Sequence, residues 1–190
     1  GTFQSANIAA SEFEGKVYVI DSKQFCISYY ILVEQAVRLR DQGKSAKEIA
    51  DEIASLTSRA RVLVIFDTLE YLKIGGRLSS TAAFVGEMLS IKPAITITDG
   101  VVEVFGKVRG AKKGIATIIS KVEELGGIDF SMPLCVGCTV NADELLNKFM
   151  EEGKHLFNGK ENEIKRVSVG ATIGTYAGSG AFAIAFYPNN

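Results

Sequence analysis

Residues 92–105 read Lys-Pro-Ala-Ile-Thr-Ile-Thr, then Asp-Gly, then Val-Val-Glu-Val-Phe. Two runs rich in β-branched residues flank an Asp-Gly pair, which suits the two positive-φ positions of a type I′ turn. The pattern predicts an antiparallel hairpin closed at Asp99 and Gly100. Its neighbours have other periodicities. Residues 61–66 (Arg-Val-Leu-Val-Ile-Phe) form a short apolar run of the kind found in buried strands. Residues 111–125 gather Ile115, Ile118, Ile119 and Val122 on one helical face, with lysines and glutamates on the others. Residues 133–140 read as a strand, and Asn141, Asp143 and Glu144 open a helix that stops near Gly153. Residues 164–169 and 181–187 read as the last two strands, joined by a glycine-rich loop. A hairpin set among helix–strand units implies a mixed sheet with helices packed on it.

The first third of the chain reads differently. Residues 2–13 suit a helix, and residues 16–20 (Lys-Val-Tyr-Val-Ile) a short strand ending at Asp21 and Ser22. Residues 27–42 suit a long helix broken by Gly43. Ser45 and Glu48 have the spacing of a capping box, and Ile49, Ile53 and Leu56 follow at i, i+4 and i+7. One strand cannot make a sheet. Residues 1–60 are therefore expected to lack the neighbours of their strand, and residues 61–190 to form a domain built on the mixed sheet. The break is expected near residues 57–60.

With 190 residues, 47% of them hydrophobic, the chain can bury a substantial core. A net charge of −1 gives no electrostatic footprint for nucleic acid or an anionic membrane. No apolar run approaches the ~20 residues of a spanning helix, and no signal-peptide pattern opens the chain. Three cysteines are an odd number and do not form a disulfide framework, so a reducing, cytoplasmic setting is expected.

Two segments have the composition of a binding site. The first runs from Phe66 to Ser79. Asp67 is expected to cap the helix that follows, with Glu70 as its box partner. Gly75 suits a left-handed helix stop, and Gly76 a close backbone approach. Arg77 then leaves a tight turn at the mouth of a strand–helix unit. A planar cation there can grip a carboxylate or phosphate, or can pair with a neighbouring side chain in a purely structural role. The second segment is Gly174-Thr175-Tyr176-Ala177-Gly178-Ser179-Gly180. Its backbone N–H groups could face an anion, or the glycines could simply turn the chain. Tyr176 could offer its phenol to a ligand or pack. The segment is neither a phosphate-binding Walker loop nor a dinucleotide fingerprint, because spacing and following elements differ.

Other motifs point away from chemistry. Cys135 and Cys138 lie three apart within a strand, so they face opposite sides of it. Only Cys26 and His155 remain as further soft ligands, which is too few for a zinc site. No histidine stands beside a nucleophile, so no catalytic triad, metal or cofactor is expected. Residues 106–110 read as a basic loop, and Lys107, Arg109, Lys112 and Lys113 form a small basic cluster, read either as a solvated face or as a docking patch for an acidic partner.

Taken together, the segments resemble the DegV family of fatty-acid-binding proteins. Residues 66–73 with Gly75-Gly76-Arg77 match its central signature. Gly1-Thr2-Phe3-Gln4-Ser5-Ala6, Val19-Ile20-Asp21-Ser22, Ile91-Lys92-Pro93, Gly106-Lys107-Val108-Arg109-Gly110 and residues 173–181 agree in order and spacing. The resemblance covers nearly the whole chain. Family chains begin earlier, so the resemblance implies that this one is the C-terminal portion: residues 1–60 the C-terminal remnant of a first, parallel α/β domain, without most of its strands and the Ser/Thr loops that meet the carboxylate, and residues 61–190 the second domain. The resemblance implies a long-chain fatty acid held between two domains and presented to a separate kinase protein, with the carrier itself not an enzyme. It places Arg77, Gly174, Thr175 and Tyr176 at the head group, and Tyr176 stands where the family commonly has histidine. Phe84, Met88 and Ile91, at i, i+4 and i+7 after Arg77, are expected to line the acyl tunnel. Lys107 and Arg109 are the expected docking residues. The alternative is an enzyme acting on a small phosphorylated metabolite at Arg77 and the 174–180 loop.

Overall fold

The computed structural model describes residues 1–77 and 91–189. Their elements run α1 (Thr2–Ala10), α2 (Cys26–Asp41), α3 (Ala46–Leu56), β1 (Arg61–Ile65), α4 (Glu70–Ile74), β2 (Lys92–Thr98), β3 (Val101–Val108) and α5 (Ala111–Glu124). Then follow β4 (Cys135–Cys138), α6 (Asp143–Glu152), a 3₁₀ turn (Lys154–Phe157), β5 (Lys165–Ser168), α7 (Ala171–Ala177) and β6 (Phe182–Phe186). The strands form one sheet in the order β3-β2-β1-β6-β4-β5. Only β4 and β5 run parallel; the other neighbours are antiparallel. The sheet is therefore mixed, as the hairpin requires. Asp99 and Gly100 close that hairpin with φ of 50° and 81°, the two positive values of a type I′ turn.

Strand alternation divides the core. On one face Leu63, Ile65, Val136, Phe182, Ile184 and Phe186 pack against Ile115, Ile118 and Val122 of α5 and Leu146 and Phe149 of α6. On the other, Val62, Cys135, Ala183, Ala185 and Tyr187 meet Ile27, Ile31 and Leu32 of α2 and Ile53 and Leu56 of α3. The second face carries small residues where α2 crosses it. A Cβ at Gly137 would lie 3.2 Å from Ile27 Cγ2, so glycine there lets the helix sit close. The expected break near residues 57–60 is thus no gap in packing, since α2 and α3 share a core with the sheet. Helix α3 begins with the expected box: the Ser45 N–H donates to Glu48 Oε2 at 2.8 Å, and the Glu48 N–H donates to Ser45 Oγ at 3.4 Å.

Three expectations are corrected. Residues 16–20 are not a strand but irregular chain, with Val17 and Tyr18 exposed. A β-branched run becomes a strand only where a neighbour takes its N–H and C=O groups, and no described strand lies beside this one. Lys107 lies not in a loop but in β3, opposite Pro93. The 174–180 loop is mostly helix: the Gly174 N–H bonds Gly170 O and the Gly178 N–H bonds Gly174 O. One interior glycine costs a helix only about 1 kcal/mol, so Gly174 did not break it.

Candidate functional site

The candidate site sits at the end of the sheet where β1 finishes and β6 begins. Ile65 pairs with both Ala94 and Phe182, which brings α4, α7 and the start of β2 to one edge. Phe66, Leu69, Leu72, Ile95, Ala177 and Ala181 form a third apolar cluster there, with Val64, Val102, Val104 and Tyr176 packed against it.

Asp67 does not cap α4. It pairs with Lys92, and the Glu70 N–H instead finds Thr68 Oγ1 at 3.1 Å. The end of α4 reverses the expected glycine roles. Gly75 has φ −73°, while Gly76 takes the left-handed φ of 68°. The Arg77 N–H reaches back to Leu72 O at 2.9 Å and the Gly76 N–H to Lys73 O at 3.0 Å, the paired bonds of a Schellman stop. Gly75 supplies the close approach: a methyl there would overlap Cδ1 and Cε1 of the Tyr176 ring.

Helix α7 answers in kind. A methyl on Gly178, whose φ is 71°, would overlap Cδ2 and Cε2 of Tyr71. Each helix contributes one ring and one glycine, so α4 and α7 interleave. Tyr71 and Gly178 are the members of this arrangement that sequence reasoning missed. The available signal was an aromatic and a bare glycine in both segments.

Arg77 crowns the contact. Its guanidinium carbon lies 4.7 Å from the Tyr176 ring centroid, and its Nη1 donates to Gly75 O at 2.8 Å. Both interactions fix the plane of an exposed cation at the rim of the apolar cluster. Thr175 donates its hydroxyl to Ala171 O at 2.9 Å within α7. The Gly174 and Gly178 N–H groups are engaged in the helix, so these two are not free to face an anion, one of the two readings of this segment.

Of the expected tunnel residues, Phe84 and Met88 lie outside the described residues, and Ile91 is half-buried just before β2. Lys92 pairs with Val108, which brings Lys107 and the exposed Arg109 to the same end of the sheet as Arg77. The cysteines sit as strand parity requires, Cys135 in the α2 face and Cys138 in the α5–α6 face. Burial pushes the Cys135 thiol up to about 12, which makes it a poor nucleophile or metal ligand. No group of three or more metal-ligating side chains occurs among the described residues. None of the described helices is long and apolar enough to cross a membrane. A cavity of about 420 Å³ opens at the opposite end of the sheet, where β1 and β2 splay apart. Of its charged residues, Lys23 pairs with Asp99 and Lys121 with Glu124, while Glu103 accepts from the Thr98 hydroxyl and Arg61 donates to Ser58 O and Ala60 O.

Comparison with known proteins bears on this geometry. The family model described as "Uncharacterised protein, DegV family" matches residues 1–189. A DegV domain-containing protein of Caldanaerobacter subterraneus subsp. tengcongensis is 36% identical over 98% of this chain and 66% of its own length. The chain thus spans about two thirds of that relative. A structure described as fatty acid binding of a DegV family protein from Thermus thermophilus matches with a TM-score of 0.84 and 30% identity, over 100% of this chain and 67% of that one. The fold is also that of the Streptococcus pneumoniae Fatty Acid Kinase (Fak) B3 protein loaded with linoleic acid, with a TM-score of 0.84, 21% identity and coverage of 99% and 66%. With the family model matching all but its last residue, the chain belongs to the DegV family.

Proposed function

We propose that this chain supplies the fatty-acid site of a cytoplasmic carrier that is not itself an enzyme. The observation that carries the reading is Arg77, a cation oriented over Tyr176 at the rim of the apolar cluster of Phe66, Leu69, Leu72 and Ile95. A long-chain acid needs both parts. Each buried methylene contributes about 0.8 kcal/mol, so an acyl chain contributes on the order of 10 kcal/mol before binding costs. The carboxylate chiefly sets orientation, and a guanidinium can meet it with two parallel N–H donors. In this reading Arg77 holds the carboxylate, Gly174, Thr175 and Tyr176 flank it, and Phe84, Met88 and Ile91 line the tail. The carrier presents the carboxylate to a kinase protein, with Lys107 and Arg109 at the docking edge. The relatives described as fatty-acid binding support the ligand class, and the shared fold of the Fak B3 protein suggests the partner.

Lipid extraction of the full-length protein followed by mass spectrometry tests this. A co-purified long-chain fatty acid is the expected result. A phosphate ester in its place supports the phosphorylated-metabolite enzyme and sinks the carrier reading. So does a protein that neither retains nor takes up any fatty acid.

A further inference from the structure

Tyr176 touches two things with its ring carbons. One is Gly75, where an added Cβ would overlap Cδ1 and Cε1 of the ring. The other is the Arg77 guanidinium, 4.7 Å from the ring centroid. These contacts tie α7 to the last turn of α4 and to the residue that leaves it. Tyr71 makes the reciprocal contact on Gly178, so the two helices are held at two points. The exposed arginine would otherwise sample many rotamers, because its side chain has several free torsions. Here its plane is set on one side by the ring and on the other by the carbonyl of Gly75, 2.8 Å from Nη1.

We propose that Tyr176 is a positioning residue that acts through its ring face: it holds the Arg77 guanidinium in the plane that receives the ligand carboxylate. The proposal rests on the fatty-acid reading and adds a specific role to it. The phenol hydroxyl takes no part, since both contacts use the ring. The ring serves before the ligand arrives. A prearranged cation loses less freedom on binding than a mobile one, so the benefit appears as affinity. Tyr71 on Gly178 keeps α7 in register so that the ring stays beneath the guanidinium.

The test is a double-mutant cycle on the full-length protein, with palmitic acid as the probe. Tyr176→Phe keeps the ring and is expected to bind more tightly than Tyr176→Leu. Tyr176→Leu removes it and is expected to weaken binding about two- to fivefold, the scale of an exposed cation–π contact. With Arg77→Ala already present, Tyr176→Leu should have no further effect. A residue with a merely structural role would show the same loss in both backgrounds. In the unliganded protein, the Arg77 side-chain protons should show an upfield ring-current shift that survives in Tyr176→Phe and vanishes in Tyr176→Leu. An equal loss in both backgrounds, or a Tyr176→Phe variant as weak as Tyr176→Leu, overturns the positioning role and leaves the carrier reading standing. Absence of palmitate binding by the unsubstituted protein overturns the carrier reading, while the ring-current shift still reports whether the stack exists.

Discussion

Arg77 was legible only as a candidate, because a planar cation after paired glycines can grip an anion or pair with a neighbouring side chain. Its support was not legible. The Tyr176 ring reaches it from a segment far along the chain, and no local pattern encodes such a contact. The two glycines before it show the same limit. Either could take positive φ, and only the packed Tyr176 ring decides that Gly75 must be bare while Gly76 turns left-handed. Replacing Arg77 with Ala is expected to weaken palmitate binding about ten- to a hundredfold, the worth of a charged hydrogen bond. The melting temperature should hold, because the side chain is exposed. Loss of folding, or affinity within twofold, would contradict the assignment. Cys135 illustrates the opposite case, where strand parity sufficed to place a residue. Burial raises its thiol from an ordinary value near 9 to about 12. The unfolded chain therefore ionises first, so the stabilising effect of the neutral thiol is full below pH 9 and is lost as pH climbs toward 12. Its share of the alkaline slope is up to about 1.4 kcal/mol per pH unit. Cys135→Ala should flatten denaturant stability measured from pH 9 upward, and an unchanged slope would contradict the buried thiol.

Among the elements, the hairpin, α3 and α5 were readable because their signals are local: an Asp-Gly turn, a capping box, an apolar stripe. Helix α7 was missed because glycine content outweighed the intact i to i+4 bonding that Gly174 permits. Residues 16–20 were misread for the converse reason, since β propensity there has no partner strand to satisfy it. The α4–α7 contact makes a prediction at this scale. Gly178→Ala places a methyl against Tyr71 at a φ of 71°, so it carries both overlap and backbone strain. A cost of about 1–3 kcal/mol is expected, read as a fall of several degrees in melting temperature. Gly43→Ala is the control: it also has a positive φ, of 84°, and nothing within 4 Å of the added methyl. Equal losses in the two variants would show that the ring contact adds nothing.

At the scale of the molecule, the mixed sheet follows from the hairpin among helix–strand units, while the face that each helix covers could not be read from one sequence. Helix α1 buries none of its residues, and the chain spans about two thirds of the C. subterraneus relative. We propose that residues 1–60 contribute to a first domain in the longer protein, though α2 and α3 share the core of the sheet. Among the described residues, Val17 is the only one of residues 17–20 whose N–H donates to backbone, to Phe13 O at 3.3 Å. Fast amide exchange is expected at Tyr18, Val19 and Ile20 in the 190-residue chain, with slow exchange once a preceding segment supplies strand partners. Strong protection in this chain as a monomer would contradict that division. We propose that a fatty-acid carboxylate is received at the α4–α7 end of the sheet. A crystal structure of the full-length protein with palmitic acid tests it most directly. Carboxylate density is expected within about 3.2 Å of the Arg77 guanidinium, with the acyl chain running into the cluster of Phe66, Leu69, Leu72 and Ile95. Palmitate bound elsewhere, with Arg77 still stacked on Tyr176 and facing solvent, would contradict it.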